Sequence, residues 1–109
     1  MTNISIGKLR GLQQLADSRG MMTMCAIDHR VALKRALNGE DPAAVGYQDI
    51  VDFKLDLCRA VAPFASAILL DPECGAAQAV AAGVLPGTKG FLVSMEKTGY
   101  AGNSAARIT

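Results

Sequence analysis

Residues 67–72 read Ala-Ile-Leu-Leu-Asp-Pro, and this stretch decides the fold class. Four consecutive apolar residues without polar alternation are typical of a strand that is buried on both faces of a parallel sheet. Pro63 stands before the strand and ends a long helical pattern, and an alanine-rich helical pattern follows over residues 76–82 and is closed by Gly83. Because a buried strand lies between two helices, the sequence predicts an α/β fold built from parallel βαβ units.

Two further apolar runs predict the other strands. Residues 21–27 (Met-Met-Thr-Met-Cys-Ala-Ile) predict a strand that is buried on both faces, and residues 91–95 predict a third. The chain shows no internal repeat and no low-complexity linker, so residues 1–109 are expected to form one structural unit. Three parallel strands leave open edges, which a finished sheet of this kind has to cover or pair.

Three helical patterns precede the central strand. Residues 6–16 predict an amphipathic helix that Ser5 can cap, and residues 31–37 predict a short helix stopped by Asn38-Gly39. The Asp41-Pro42 pair predicts the start of the longest helix, which Pro63 ends. Its apolar stripe is predicted to be Ile50, Phe53, Leu57 and Val61, with Asp49, Asp52, Lys54, Asp56 and Arg59 mostly on the opposite, solvent-facing side.

Composition and charge exclude several classes of protein. Half of the 109 residues are hydrophobic and 19% are charged, which argues against intrinsic disorder. The formal net charge of +1 is spread in mixed sign, so we expect no nucleic-acid partner and no anionic membrane surface. The longest apolar stretch, residues 60–70, is interrupted by Pro63 and Ser66 and falls short of the roughly 18 residues of a spanning helix. No signal peptide is visible in the first residues.

The three cysteines indicate a reducing compartment. They are odd in number, widely spaced and without a CxxC pair, which favours reduced, buried thiols over a disulfide framework, a zinc site or nucleophiles. We therefore expect a cytoplasmic protein. One histidine and scattered acids form no metal-ligand pattern, and no phosphate-binding glycine loop is present, so neither a metal nor another cofactor is predicted.

A carboxylate follows each predicted strand, namely Asp28, Asp71 and Glu96. In parallel α/β folds, ligands bind at the carboxyl ends of the strands, and catalytic residues come from the positions just after them. The alternative is that these acids cap the next helix or start a turn, and this alternative is strongest for Asp71, which precedes a proline.

The triplet Asp28-His29-Arg30 is the most suggestive of the three strand ends. An aspartate there can orient a substrate hydroxyl, and an arginine can hold a phosphate through paired N–H donors. Alternatively, His29 is a solvated loop residue and Arg30 pairs with a nearby acid. Lys97 follows the third strand, but a Schiff-base lysine needs a desolvated pocket, and Glu96 beside it favours the charged form. The catalytic candidate is therefore Asp28, and the substrate-binding candidates are His29, Arg30, Asp71, Glu96 and Lys97.

Three segments, CAIDHRVALKRAL (25–37), PFASAILLDPECG (63–75) and VSMEKTGY (93–100), together resemble the class I tagatose-bisphosphate aldolase family. That family shows a strand ending in Asp-Gln-Arg, a strand ending in Leu-Leu-Asp-Pro-Glu-Tyr-Gly, and a Glu-Lys-Thr-Gly-Tyr segment. The matches come in this order and cover nearly the whole chain. The related sulfofructose-phosphate aldolases share the first two segments, but the third is more similar to the tagatose-type members.

The resemblance implies a (β/α)₈ barrel in which a lysine forms a Schiff base with dihydroxyacetone phosphate, without a metal. The implied reaction is reversible cleavage of a ketose bisphosphate, such as tagatose 1,6-bisphosphate, to dihydroxyacetone phosphate and glyceraldehyde 3-phosphate. Asp28 matches the aspartate that binds substrate hydroxyls and polarises the scissile bond. His29 stands where the family commonly has glutamine, and Glu96 and Lys97 match a motif that we assign to shaping the strand end.

The length of the chain limits what it can do alone. A (β/α)₈ barrel needs about 250 residues, so 109 residues supply roughly three of its eight strands. The resemblance places the Schiff-base lysine on later strands, so we expect an N-terminal segment that is inactive by itself. Two alternatives stay open: a sulfofructose-phosphate-type aldolase, and a non-catalytic α/β association module whose open sheet edge is buried in a homo-oligomer. Whether the coding sequence continues past Thr109 into strands with lysines discriminates between segment and module.

Overall fold

The structure, a computed structural model, describes residues 3–97. Its elements in chain order are α1 (Ile6–Leu15), β1 (Met24–Ile27), α2 (Val31–Leu37), a 3₁₀ turn (Pro42–Ala44), α3 (Tyr47–Val61), β2 (Ala67–Leu70), α4 (Ala76–Ala81) and β3 (Gly90–Val93). The predicted alternation of helices and strands is confirmed. The turn expected at residues 98–100 and the tail at 101–109 lie outside the described residues.

The three strands form one parallel sheet in the order β1-β2-β3. Ile27 is opposite Leu70, which in turn is opposite Val93, so the three strands end almost level. This arrangement confirms the predicted α/β class. It also brings the segments that follow the strands to one edge of the sheet.

One face of the sheet is packed against α3 and α4. Ile27, Ile68 and Leu70 point to this face and form a buried cluster with Cys58 of α3 and Ala79 of α4. Successive strand residues point to opposite faces, so Met24, Ala26, Leu69 and Leu92 belong to the other face. That second face is only partly covered, since Met24 and Ala26 are exposed.

Helix α1 ends against the amino end of β3. Ser5 caps the helix by accepting a hydrogen bond from the backbone N–H of Lys8 at 3.3 Å, as predicted. A Cβ added at Gly90 would lie 2.8 Å from the Gln14 carbonyl oxygen and 2.7 Å from Leu15 Cδ2, so only glycine permits this contact. None of the residues of α1 is buried.

The structure corrects the predicted limits and burial of the outer strands. β1 begins at Met24 rather than at Met21, and of its four residues only Ile27 is buried. β3 covers Gly90–Val93 rather than residues 91–95, and Phe91 and Val93 are exposed. The prediction of burial therefore holds for β2 and is wrong for β1, because β1 is an outer strand of the described sheet.

The longest helix also differs from the prediction. Pro42 starts only a 3₁₀ turn, and α3 begins at Tyr47, after Val45 adopts an extended conformation and packs into a second buried cluster with Ile50 and Cys74. The Asp49 carboxylate then accepts a hydrogen bond from the Gly46 N–H at 2.9 Å and closes the first turn.

The buried stripe of α3 consists of Ile50, Val51, Lys54 and Cys58. Phe53, predicted to be in the core, is 39% exposed, and Lys54, predicted to face solvent, is 1% exposed. Both errors follow from one assumption, that a lysine marks the solvent side of a helix. No helix in the part of the chain that the structure describes is long and apolar enough to cross a membrane.

Candidate active site at the carboxyl edge of the sheet

The segments that follow the three strands meet at one edge of the sheet. We call this region, formed by residues 28–30, 71–75 and 94–97, the carboxyl edge. Asp28 directly follows β1 and Asp71 directly follows β2, as predicted. Glu96 was predicted to end β3, but the strand ends at Val93, so Glu96 lies three residues further along.

Asp28 is half-buried at the carboxyl end of β1. No hydrogen bond or ion pair joins its carboxylate to another of the residues 3–97. A carboxylate in this position is available to accept hydrogen bonds from a ligand at the carboxyl edge. The structure is therefore compatible with the predicted catalytic role, which stays a prediction.

Asp71 is fully buried, and its carboxylate accepts four hydrogen bonds. Its Oδ1 accepts a hydrogen bond from Lys54 Nζ of α3. Its Oδ2 accepts from the backbone N–H groups of Glu73 at 3.1 Å and Cys74 at 2.9 Å, and from the Cys74 thiol at 3.3 Å. The carboxylate thus shapes the turn between β2 and α4, which is the structural alternative weighed for this residue. Its substrate-binding role stays a prediction.

The ionisation of Asp71 follows from these contacts. Burial raises the pKa of its carboxyl, but the hydrogen bond from Lys54 and the backbone N–H of Cys74 outweigh this effect, so the pKa lies below its ordinary value. Asp71 is therefore ionised at neutral pH. By contrast, burial and the Asp71 carboxylate raise the pKa of the Cys74 thiol to about 11, which keeps this thiol protonated.

Arg30 joins all three strand ends. Its guanidinium donates to the Glu73 carboxylate at 2.8 Å, after β2, and to the backbone carbonyl oxygen of Glu96 at 3.1 Å, after β3. Arg30 is only 7% exposed, and its Nε, also buried, has no hydrogen-bond partner among residues 3–97. The pairing with a nearby acid, weighed from the sequence, is therefore present, and a role for Arg30 in binding phosphate stays a prediction.

The remaining candidates lie at the surface. His29 is exposed and borders a mainly apolar groove of about 180 Å³ between β1, α2 and α3. Glu96 and Lys97 are also exposed, at the end of the described chain. The structure places these side chains at the carboxyl edge, and their substrate-binding roles stay predictions.

The described residues form only small cavities at this edge. The one beside the Arg30–Glu73 pair has a volume of about 210 Å³ and is also lined by Lys34 and Tyr47. Binding sites for small molecules commonly enclose about 300–1,000 Å³, so this cavity is smaller than such a site. Within these residues, no group of three or more His, Cys, Asp or Glu side chains could hold a metal ion.

Two residues that hold the carboxyl edge together, Lys54 and Glu73, are not among the candidates predicted from the sequence. Lys54 lies four residues after Ile50 and four before Cys58, so a stripe drawn through this spacing would have placed it inside. Glu73 follows Asp71-Pro72 and could have been considered with the acids of this strand end. A lysine or a glutamate alone does not indicate burial or an ion pair, because its partner is distant in the sequence.

The fold and the arrangement of its polar side chains are those of a known class of protein. The chain is a parallel α/β segment whose charged and polar side chains gather at the carboxyl ends of its strands, the arrangement that α/β enzymes use for their sites. No family model matches the chain.

Individual proteins of known name match nearly the whole chain. The chain is 41% identical over 108 residues to tagatose 1,6-diphosphate aldolase 1 of Enterococcus faecalis, with 99% of the chain and 32% of that protein covered. It is 36% identical over 110 residues to the tagatose 1,6-diphosphate aldolase of Listeria monocytogenes, covering 31% of that protein, and 34% identical over 107 residues to tagatose 1,6-diphosphate aldolase 2 of Streptococcus agalactiae, covering 30%. The chain is thus a homologue of the tagatose 1,6-diphosphate aldolases, as the resemblance predicted, and it spans about a third of their length.

Proposed function

We propose that residues 1–109 are the N-terminal segment of a class I aldolase that cleaves tagatose 1,6-bisphosphate to dihydroxyacetone phosphate and glyceraldehyde 3-phosphate. The observation that carries this proposal is the homology over 99% of the chain to proteins named for that activity. The parallel sheet, with Asp28 available at its carboxyl edge, supports it.

The same proposal includes a (β/α)₈ barrel. Its support is the pattern of exposed apolar groups: Met24 on one face of the sheet, and Phe91 and Val93 on the other, all lack full cover among residues 3–97. In a closed barrel, further strands and helices would pack on both faces and pair with the outer strands. The exposed apolar surface is therefore what an unfinished barrel would leave.

In this reaction, a lysine amine condenses with the ketone of the substrate to give a protonated imine and water. The 4-hydroxyl then loses its proton and the bond between the third and fourth carbons breaks, so that the aldehyde leaves and the electron pair of the bond moves to the imine nitrogen to give an enamine. Protonation of the enamine carbon and hydrolysis of the imine release dihydroxyacetone phosphate and the free lysine. We assign Asp28 to binding the substrate hydroxyls and polarising the bond that breaks. The lysine is assigned to a position outside residues 1–109. Support comes from Lys54, whose amine is buried and already bound to the Asp71 carboxylate.

We further place the protein in the cytoplasm. Support comes from the three cysteines, all of which are free thiols, a state that reducing compartments maintain.

The proposal is tested by borohydride trapping. The 109-residue chain and a polypeptide that continues past Thr109 are each incubated with dihydroxyacetone phosphate, reduced, and analysed by intact mass and peptide mapping. We expect an adduct only in the longer polypeptide, on a lysine outside residues 1–109, together with cleavage of tagatose 1,6-bisphosphate in a coupled assay. An adduct on Lys97 or any other lysine of the short chain would contradict the assignment, and absence of cleavage by the longer polypeptide would contradict the function.

A second candidate is an association module that is not catalytic. The observation that favours it is the exposure of Phe91 and Val93 on the outer strand β3. Sedimentation equilibrium of the 109-residue chain distinguishes the two: a stable homo-oligomer without aldolase activity in any longer polypeptide supports the module.

A further inference from the structure

A continuous series of polar contacts runs from the middle of α3 to the end of β3. Lys54 binds the Asp71 carboxylate, and that carboxylate binds the backbone of Glu73 and Cys74. The Glu73 side chain in turn binds Arg30 at 2.8 Å, and Arg30 binds the carbonyl oxygen of Glu96 at 3.1 Å. We call this series the Lys54–Glu96 relay.

The first contact of the relay is also its most buried one. Lys54 and Asp71 are 1% and 0% exposed, whereas Glu73 is 52% exposed and could adopt other side-chain conformations. A buried ion pair whose remaining polar atoms are hydrogen-bonded has a defined geometry, while an exposed pair contributes little order by itself. The buried Lys54–Asp71 pair therefore fixes the position of the Glu73 backbone.

Two close contacts leave the turn little room to move. Gly75 packs so tightly that an added Cβ would lie 2.8 Å from Asp71 Oδ1 and 3.0 Å from Leu70 Cδ2. The Ala76 N–H also donates to the Asp71 carbonyl oxygen at 2.8 Å. The Asp71 carboxylate also accepts hydrogen bonds from the Glu73 and Cys74 N–H groups, so its displacement would break the contacts that hold the backbone of Glu73.

From these contacts we propose that Lys54 is a positioning residue for the carboxyl edge: through Asp71 and Glu73 it holds the Arg30 guanidinium in the place where it ties the end of β1 to the end of β3. Lys54 acts through other side chains, since its own side chain is buried and bound to Asp71. The inference rests on the proposed function only in that the carboxyl edge is the region assigned to the substrate.

The test follows the solvent-exchange rate of the Arg30 Nε–H by NMR spectroscopy, in the longest polypeptide that contains these residues. The variant is Lys54→Met/Asp71→Asn, which removes both buried charges while the asparagine oxygen can still accept from the turn. The matched control is Arg59→Met/Asp56→Asn, the same chemical change in an exposed ion pair of 3.0 Å on the same helix. Urea unfolding of each variant allows rates to be compared at equal stability.

We expect the rate of the Arg30 Nε–H to rise at least about tenfold in the first variant and less than about twofold in the control, since a guanidinium that Glu73 no longer holds in place exposes its buried Nε–H to water. Adding Glu73→Gln to the first variant is expected to change the rate by less than about twofold, because residues in one network are not additive. An unchanged rate in the first variant, an equal rise in the control, or a further rise of more than about twofold on adding Glu73→Gln would each overturn the proposal.

If the double variant does not fold, Glu73→Ala is measured instead, since the Glu73 side chain is 52% exposed and its removal leaves the buried Lys54–Asp71 pair intact. A rise of at least about threefold then supports the relay, and an unchanged rate overturns it. The exchange experiment uses no substrate. A failed aldolase assay would therefore contradict the proposed function alone, and an unchanged exchange rate of the Arg30 Nε–H would contradict the relay alone.

Discussion

Lys54, in the middle of α3, donates a hydrogen bond to Asp71, the first residue after β2, and both side chains are withdrawn from solvent. Two charges in the core are costly unless they compensate each other and their remaining polar atoms are bound. Here the other oxygen of Asp71 is bound by the turn that follows. The pair therefore links the helix layer of the fold to the edge of the sheet at which we place the site.

Removal of one partner of this pair is expected to destabilise the protein strongly. Lys54→Met leaves the Asp71 carboxylate buried without its cation, and breaking a buried pair in this way costs about 3–5 kcal/mol. The double variant Lys54→Met/Asp71→Asn is expected to cost clearly less, because no charge is left alone. Urea unfolding measures both, and a double variant as unstable as the single one would contradict this account.

The stability of the protein is expected to depend on pH through Asp71. Because the pKa of its carboxyl is lowered on folding, its contribution is complete above the ordinary value of about 4 and is lost as the pH falls through the folded-state value. Asp71→Asn should therefore be less stable than the parent at pH 6 but show a shallower loss of stability as the pH falls below about 4. If the free energy of unfolding fell in parallel for the two proteins at acidic pH, another carboxylate would be responsible for the loss of stability.

Gly75→Ala is expected to destabilise the turn between β2 and α4. The new methyl group would lie 2.8 Å from Asp71 Oδ1, and such overpacking costs about 1–3 kcal/mol. Gly87→Ala is the matched control, since nothing lies within 4 Å of its added Cβ. Thermal unfolding of both variants checks the prediction, and equal melting temperatures would refute it.

The Cys74 thiol is expected to be unreactive in the folded protein. With its pKa raised to about 11, only about one molecule in a thousand carries the thiolate at pH 8, and the side chain is 7% exposed. Mass spectrometry after brief treatment with iodoacetamide should find Cys74 unmodified in the native state and modified in urea. Rapid native labelling at this position would mean that the turn opens more easily than its contacts imply.

Asp28→Asn tests the proposed catalytic role. In a polypeptide with aldolase activity, the substitution is expected to lower kcat/KM at least about 100-fold, since loss of a positioned acid–base group costs that much. Folding should be unaffected, because no ion pair of Asp28 exists within residues 3–97. The exposed Asp52→Asn, on α3, is the control, and a variant of Asp28 as active as that control would remove this residue from the mechanism.

Local sequence patterns are sufficient to predict most of the elements and the class of the fold. Local pattern is enough for β2, whose limits Ala67–Leu70 agree with the prediction, and for α2, because continuous apolar runs, prolines and glycines act on the neighbouring backbone. The acids after β1 and β2 were found in the same way. Similarity to known aldolases was also visible in the residues themselves.

The buried side of α3 and the contacts of the strand ends depend on residues that are distant in the chain and meet only in the folded protein. Lys54 enters the core because Asp71, 17 positions away in the chain, compensates its charge. Arg30 turns to Glu73 and the Glu96 carbonyl for a comparable reason, across 43 and 66 positions. The energy of a charged side chain depends on its partner in space, and no pattern of neighbouring residues contains that partner.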